Sequence, residues 1–196
     1  MKLYLVRHGQ SEGNVTGIHC GWEPIPLTEQ GKMEAERVGR LLAGIHFDKV
    51  YTSDLLRAVH TAELALPGYE KEQTTLLREI GIGELAFKTS GACRREYGEV
   101  YAMHSREQDF RAYGGENYEM VSQRVKCFLD MVAEENCENI AAVCHDGILR
   151  GTLDIVLGQR TALQAVNCDN GAIAVFEYRD THWSLCHWNL VQMADI

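Results

Sequence analysis

Histidine and arginine side chains follow three apolar runs of this 196-residue chain, at the points where those runs end. The run in LYLVRHGQSEGN ends at Arg7 and His8, NIAAVC is followed by His145, and DKVYTS is followed by Arg57. Polar residues at the carboxyl ends of neighbouring parallel strands meet at one edge of a sheet. Arginine binds anions with fixed charge, and histidine attacks or exchanges protons near neutral pH. With Glu79, which follows a weaker strand, this set predicts a site for an anionic substrate.

Two short motifs offer competing nucleophiles. Residues 9–13, GQSEG, fit the G-x-S-x-G turn that exposes a serine in some hydrolases. That turn needs a helix directly after it, and glycines at positions 9, 13 and 17 do not predict one. We therefore interpret Ser11 as a hydroxyl of the turn or of a phosphate-binding loop.

The second competing motif is CHDGILRG, in which Cys144 and Arg150 have the C-x-x-G-x-x-R spacing of cysteine-dependent phosphatases. A thiolate, helix amides and an arginine would suit phosphate. Cys144 nevertheless continues an apolar run, whereas a reactive thiol needs exposure and positive surroundings. This reading also leaves Arg7, His8 and Arg57 without a function.

A third interpretation uses all of these segments. The motifs R-H-G-x-S-x-x-N, S-x-L-x-R-A-x-x-T-A and a late apolar strand followed by H-x-G occur in this order, with LLREIGIGEL and GGEN between them. Together they resemble the histidine phosphatase superfamily, which includes phosphoglycerate mutases and small metabolite phosphatases. The resemblance covers nearly the whole chain.

The resemblance implies a role for each of the five residues at the strand ends. His8 would be the nucleophile that forms a phosphohistidine, and Arg7 and Arg57 would hold the phosphate oxygens. His145 would complete this clamp, best as a charged donor. Glu79 would protonate the leaving oxygen and then activate water. Phosphoryl transfer in such a pocket requires no metal or other cofactor.

Further residues are expected to contact substrate or phosphate. They come from the turn after His8, from the CGWEPIPLT segment and from the position after His145, and they are Gln10, Ser11, Asn14, Cys20, Gly21 and Asp146. Asp146 stands where the family usually has glycine, and GELAFKTSG differs from the W-E-G-like sequence of many small phosphatases. Glu84 stays open as an alternative acid to Glu79.

Hydrolysis is favoured over isomerisation. A mutase must protect its phosphohistidine from water, which favours longer closing segments than those of this chain. We therefore expect a phosphatase acting on a small phosphorylated metabolite, such as an α-ribazole-phosphate-type compound or a sugar phosphate. Cofactor-dependent phosphoglycerate mutase activity is the alternative, and a Cys144-dependent phosphatase or a non-catalytic phosphate-binding module is less favoured.

Composition limits the partners of the chain. A formal charge of −9 argues against nucleic acid, and no apolar run is long enough for a membrane span or a signal peptide. Seven cysteines without a C-x-x-C motif indicate reduced thiols and a cytoplasmic location. The remaining histidines do not have the sequence spacing that is typical of metal ligands. For the oligomeric state, a monomer and a homodimer are both compatible with the sequence.

Alternating strands and helices predict an α/β protein with three α/β/α layers, a mostly parallel sheet and an antiparallel edge, and one domain over residues 1–196. The helix over 27–44 is expected to begin at Thr28, end at Gly44 and bury Met33, Val38, Leu41 and Leu42. Region 79–115, which holds several glycines, is expected to be less regular. The other predicted elements are strands at 2–7, 48–53, 73–77 and 139–144, helices at 53–66, 121–132 and from about 148, and a hairpin of 172–178 with 183–188.

Overall fold

A computed structural model of the chain describes residues 1–160 and 166–192. The prediction of one domain over 1–196 therefore includes two segments, 161–165 and 193–196, that lie outside the described residues. In the described part, six strands form one sheet in the order β3-β2-β4-β1-β5-β6. Their bounds are β1 Lys2–Arg7, β2 Lys49–Ser53, β3 Glu72–Thr74, β4 Asn139–Cys144, β5 Ile173–Arg179 and β6 His182–Leu190.

The sheet is parallel on one side and antiparallel on the other. Strand β4 pairs in parallel with β1 and β2, and β3 pairs in parallel with β2. Strand β5 runs antiparallel to β1 and forms a hairpin with β6, turning at Asp180 and Thr181, both at positive φ. This is the predicted mixed α/β architecture, including the terminal hairpin.

Helices cover both faces, and their bounds are α1 Glu12–Thr16, α2 Glu29–Leu42, α3 Leu56–Ala65, α4 Ser90–Glu107, α5 Tyr118–Ala133 and α6 Asp146–Leu157. Successive residues of β1 and β4 point to opposite faces, as the pleat of a strand requires. Leu3 and Leu5 pack in one core cluster with residues of α5 and α6. Tyr4 and Val6 pack in the other with residues of α2 and α3. The three layers are thus confirmed.

The region 79–115 is less regular than the rest of the chain, as predicted, but it contains more helix than its glycines indicated. It contains α4, which is kinked where Gly98 adopts φ +63°, and short 3₁₀ turns over Gly83–Leu85 and Arg111–Tyr113. A third core cluster joins these pieces through six residues, which are Ile82, Leu85, Cys93, Tyr101, Phe110 and Tyr113. This segment forms one wall of the cavity described below.

Smaller corrections concern helix ends and one strand. Helix α2 begins after Thr28 as predicted, but it ends at Leu42 without using Gly44, and Met33 is 55% exposed. Strand β3 is shorter than expected and continues as a 3₁₀ turn over Thr75–Leu77. In the part of the chain that the structure describes, no helix has the length and apolar character needed to cross a bilayer.

Candidate active site

The site lies at the carboxyl ends of β1 and β4. In the parallel pairing of these strands Arg7 is the partner of Cys144, so His8 and His145 follow at the same level. Their rings pack edge to face with centroids 5.1 Å apart. Gly9, which follows His8, packs so closely against the backbone of Gly31 at the start of α2 that a Cβ atom at position 9 would not fit. Sheet register and this close packing therefore fix the two histidines as neighbours.

Hydrogen bonds determine which nitrogen of His8 is available to react. The carbonyl oxygen of Gly9 lies 2.7 Å from Nδ1 of His8 and can only accept, so Nδ1 carries the proton. The lone pair is then on Nε2, and Arg57 Nε donates to it at 3.3 Å. His8 is 4% exposed, so little water competes with these partners. The ring is thus held as the Nδ1–H tautomer with a nucleophilic Nε2.

Helix α3 places two side chains of the S-x-L-x-R-A-x-x-T-A motif at the nucleophile. Arg57 and Thr61 are four residues apart and share one face of the helix. Besides contacting His8, Arg57 donates to the carbonyls of Gly21 and Glu23 at 2.9 and 3.3 Å. The hydroxyl of Thr61 accepts the N–H of Gly9 at 3.1 Å. The same helix therefore orients the attacking ring and the turn that carries it.

Two buried donors of the site have no hydrogen-bond partner in the described protein. These are Arg7 Nε and His145 Nδ1. Arg7 Nη1 donates to the carbonyl of Cys168, which anchors the guanidinium. His145 Nε2 lies 2.9 Å from Ser53 Oγ, which already accepts the N–H of Leu55, so Oγ can donate its own proton to Nε2. The ring proton of His145 is then on Nδ1, where it can bind an anionic oxygen.

The surroundings of both histidines lower their pKa values and so favour the neutral imidazole. Burial, followed by the charges of Arg57 and Arg7, holds the pKa of His8 well below 6.5. Burial and the neighbouring Arg57 likewise hold the pKa of His145 well below its usual value. His8 is therefore ready to attack at neutral pH. The lowered pKa of His145 favours a neutral donor, whereas the resemblance suggests a charged one.

Glu79 follows the 3₁₀ turn after β3 and reaches the N-terminus of α6. Its Oε1 accepts the N–H of Ile80 at 2.9 Å, and its Oε2 accepts the N–H of Gly147 at 3.5 Å. Burial raises the pKa of Glu79 above its ordinary value, against the opposing effect of the hydrogen bond from Ile80 and the Arg57 charge. A carboxyl group with a raised pKa keeps its proton to higher pH, as a general acid requires.

A cavity of about 300 Å³ joins most of the predicted site. Of the residues predicted from the sequence, those that line it are Arg7, His8, Ser11, Asn14, Cys20, Gly21, Arg57 and Glu79. His145 is fully buried beside His8. The competing acid Glu84 is exposed, does not line the cavity, and accepts from Tyr97 Oη at 3.3 Å. The geometry therefore favours Glu79 as the acid.

Two predicted phosphate contacts lie elsewhere. The side chain of Gln10 accepts from the hydroxyl of Thr28 at 2.9 Å and does not line the cavity. Asp146 accepts from Arg150 Nε at 2.8 Å and lines a neighbouring cavity of about 210 Å³. Gln10 and Asp146 thus do not line the cavity with His8 and Arg57, because Gln10 is bonded to the N-cap residue of α2 and Asp146 to Arg150 within its own helix α6.

The turn after His8 does lead into a helix, contrary to the sequence prediction. Ser11 is the N-cap of α1 and forms a reciprocal capping box with Asn14, and Gly17 ends the helix in the left-handed conformation. Ser11 Oγ donates to Asn14 Oδ1 at 2.9 Å and has no histidine base beside it. The hydroxyl therefore stabilises the turn, in agreement with the interpretation of Ser11 as a turn residue.

Sequence reasoning placed Ser53 at this edge of the sheet, where it contacts His145, but missed two other residues that support the site. Thr61 contacts the Gly9 N–H. Asn170 Nδ2 donates to the carbonyl of His8 at 3.2 Å and to Asn14 Oδ1 at 3.3 Å. Ser53 and Thr61 lie within a motif quoted above, which was a usable signal. Asn170 belongs to the segment before β5, and no local pattern marks it.

The thiol of Cys144 is fully buried and belongs to the core cluster between the sheet and helices α5 and α6. Burial raises its pKa well above the ordinary value, so the thiolate is disfavoured. The structure thus gives no support to a Cys144 nucleophile. Among residues 1–160 and 166–192, no group of three or more His, Cys, Asp or Glu side chains is arranged to hold a metal ion.

Comparison with known proteins gives consistent matches. Residues 3–191 match the family model of the histidine phosphatase superfamily (branch 1). The adenosylcobalamin/alpha-ribazole phosphatase of Salmonella typhimurium is 37% identical over 153 residues, 76% of each chain. A 2,3-bisphosphoglycerate-dependent phosphoglycerate mutase of Bradyrhizobium sp. is 34% identical over 172 residues, 84% of this chain and 78% of the mutase. The crystal structure of the alpha-ribazole phosphatase from Shigella flexneri superposes with a TM-score of 0.89 at 28% identity, covering 97% of this chain and 96% of that one.

Proposed function

The chain belongs to the histidine phosphatase superfamily, and from this premise we propose that it is a phosphomonoesterase that forms a phosphohistidine on His8. One observation carries the proposal. His8 Nε2 accepts a hydrogen bond from Arg57 Nε at 3.3 Å, and the adjoining residues Arg7 and His145 each hold a buried ring or guanidinium nitrogen with no partner in the described protein. A nucleophile with these nitrogens on neighbouring residues suits a phosphoryl group, which carries negative charge on its non-bridging oxygens.

The first chemical step transfers the phosphoryl group to the enzyme. Nε2 of His8 attacks phosphorus, an N–P bond forms and the ester P–O bond breaks. The Gly9 carbonyl holds the Nδ1 proton and supports the positive charge that develops on the ring. Arg57 donates to the phosphoryl oxygens, and its attachment to the carbonyls of Gly21 and Glu23 keeps the guanidinium in place while it does so.

Glu79 supplies and then recovers the proton. In its neutral form it protonates the leaving oxygen, so that an alcohol departs rather than an alkoxide. The resulting carboxylate then takes a proton from water as the water oxygen attacks phosphorus and the N–P bond breaks. Inorganic phosphate is released, and both His8 and Glu79 return to their starting forms. The raised pKa of Glu79 supports this exchange, because it brings the two protonation states closer in energy near neutral pH.

The proposed substrate is a small phosphorylated metabolite. The cavity of about 300 Å³ admits a compact leaving group. Its wall carries apolar side chains such as Ile18, Ile80 and Phe110 together with polar ones such as Ser105 and Gln108. The two alpha-ribazole phosphatases among the relatives support this class, with a ribosyl or other sugar phosphate as the first compounds to test.

Trapping the intermediate tests the proposal. Brief exposure to a ³²P-labelled phosphate ester followed by denaturation is expected to leave label that is lost in acid and stable in base, as for phosphohistidine. His8→Ala should abolish both labelling and turnover. His60→Ala, on α3 and outside the cavity lining, is the matched control and should retain both. Turnover of His8→Ala at the rate of the control would refute the assignment.

Transfer to a second metabolite is the alternative fate of the phosphohistidine, and the mutase among the relatives makes it worth measuring. The same preparation is assayed for phosphate release and for isomerisation of 3-phosphoglycerate in the presence of 2,3-bisphosphoglycerate. Phosphate release without isomerisation supports the phosphatase. Isomerisation faster than phosphate release would replace it with the mutase.

We also propose a cytoplasmic location. All seven cysteines are free thiols, and three of them are buried. Reduced cysteines are typical of the cytoplasm, where disulfides are rare. Fractionation of cells that express the untagged chain tests this location, and recovery with a secreted fraction would contradict it.

A further inference from the structure

We infer that the buried ion pair of Glu116 and Arg124 positions the general acid of this enzyme. The inference rests on the proposed function, in which Glu79 is that acid. Neither residue lines the cavity that contains His8, so neither touches the substrate there. Both act on the main chain around Glu79, here named the acid loop and defined as residues 76–81.

Arg124, on α5, uses its guanidinium to hold the acid loop. Nη1 donates to the carbonyl of Leu76 at 3.0 Å and to that of Arg78 at 2.9 Å. Nη2 donates to the carbonyl of Glu79 at 3.4 Å. Three carbonyls of one irregular segment thus converge on one planar group, and Arg124 fixes the backbone on the N-terminal side of the acid.

Glu116 fixes the C-terminal side of the acid and orients the arginine. Its Oε2 accepts the N–H of Gly81 at 2.8 Å. Its Oε1 accepts a hydrogen bond from Arg124 Nε at 2.9 Å, and its Oε2 accepts one from Arg124 Nη2 at 2.8 Å, so the ion pair is bidentate. The side chain of Glu116 is 8% exposed and that of Arg124 is 18% exposed, so water screens the pair little.

This arrangement accounts for the GGEN motif, which the catalytic mechanism does not use. Gly114 adopts φ +75°, and Gly115 packs so closely on Gly81 that a Cβ would not fit. The N–H of Glu116 donates to the carbonyl of Gly81 at 2.7 Å, and Asn117 caps α5. The motif therefore brings Glu116 directly against the acid loop and starts the helix that carries Arg124.

The consequence for catalysis is specific to the proton transfer. The acid loop is a 3₁₀ turn and a short connection, so its own hydrogen bonds fix it less firmly than those of a strand would. General acid catalysis depends on the position of the proton donor and contributes roughly 10²–10⁴-fold to rate. Loosening the ion pair should therefore slow the reactions that need the acid while it leaves attack by His8 unchanged.

The test compares two substrates that differ in their need for the acid. Departure of p-nitrophenolate from p-nitrophenyl phosphate needs no proton, whereas departure of the alcohol from glycerol 2-phosphate does. For Arg124→Lys and Glu116→Gln, kcat/KM on glycerol 2-phosphate is expected to fall on the order of 10-fold or more relative to kcat/KM on p-nitrophenyl phosphate. We compare kcat/KM because it covers the steps up to departure of the leaving group and excludes the later attack of water, in which Glu79 acts for both substrates. This ratio does not depend on how much of a variant is folded, since both rates come from the same active molecules.

Two reference variants make the outcome of this comparison decisive. Glu79→Gln should lower the ratio most, and Glu135→Gln should leave it unchanged. Glu135 also forms an ion pair, with Lys49 at 2.5 Å, but at the amino end of β2, remote from the site. A ratio in Arg124→Lys and Glu116→Gln equal to that of the wild type, with a lowered ratio in Glu79→Gln, overturns the inference alone. Absence of hydrolysis of both substrates by the wild-type enzyme would instead reject the proposed function.

Discussion

Replacement of Gly147 by alanine is expected to disable the general acid without harm to the fold. Gly147 is the second residue of α6, and its N–H is a donor to Glu79 Oε2. A Cβ at this position would overlap Glu79 Oε1 and lie 3.4 Å from the carboxyl carbon. The obstacle is the end of a flexible side chain, so the carboxyl group would yield while the backbone stays in place.

The size of the effect follows from that overlap. To relieve the overlap with the new Cβ, Oε1 of Glu79 must move away by about 1 Å. Displacements of this size at a reacting group lower the rate on the order of 100-fold. A 100-fold loss corresponds to about 2.7 kcal/mol in activation free energy. Alanine in place of glycine in a helix offers at most about 1 kcal/mol of added stability, which keeps the native state favoured. The loss should therefore appear in catalysis and not in the melting temperature.

The assay measures kcat/KM on glycerol 2-phosphate and on p-nitrophenyl phosphate together with thermal unfolding. Gly147→Ala should lose activity on the alkyl ester selectively and unfold at or above the wild-type temperature. Gly151→Ala is the matched control, since its Cβ would meet Val125 Cγ2 at 3.2 Å on the opposing helix and not the acid. Wild-type kcat/KM of Gly147→Ala on the alkyl ester, or an equal loss of kcat/KM on both substrates, would refute the reasoning.

Three other predictions concern pH, metal and the rejected nucleophile. For glycerol 2-phosphate, kcat/KM should fall as pH rises above the raised pKa of Glu79, because the acid has then lost its proton. The pH profile of Glu79→Gln should lack this fall. A fall of kcat/KM at high pH in Glu79→Gln would contradict the assignment. Activity should be complete after exhaustive treatment with EDTA, whereas recovery only upon metal addition would refute the metal-free mechanism. Cys144→Ser should retain kcat within about threefold, since the buried thiol takes no part, and a loss as deep as that of His8→Ala would restore the cysteine mechanism.

The part of the site that lies at strand ends was predictable from the sequence. Strands β1, β2 and β4 are short and apolar, and each is followed directly by reactive side chains. In a parallel arrangement, strand order alone brings such residues to one edge. The positions of Arg7, His8, Arg57 and His145 therefore follow from topology. Their hydrogen-bond partners do not, because the Gly9 carbonyl and Asn170 act through distances that no spacing encodes.

Helix α4 shows why the segment over the cavity was not predictable. Of its 18 residues, the only buried ones are Cys93 and Tyr101, so it lacks the apolar stripe that marks a packed helix. Gly98 interrupts it with a positive φ, a position that favours glycine. Its docking depends on the small third core cluster, to which several separate segments contribute. Gln10 and Asp146 do not line the cavity for a related reason, since proximity in sequence to His8 and His145 does not determine where a side chain points.

Because β1 and β4 pair in parallel at Arg7 and Cys144, recovery of enzyme activity also indicates that these two strands have come together during folding. The nucleophile is near the start of the chain, and its partner His145 comes far later, so neither half of the sequence contains a site. Insertion of β4 between β1 and β2 is the event that unites them, and it depends on contacts between distant parts of the chain, which form slowly. During refolding, recovered turnover should therefore lag behind helix formation and coincide with completion of the central strands. A circular permutant that brings β1 and β4 close in sequence would shorten that lag.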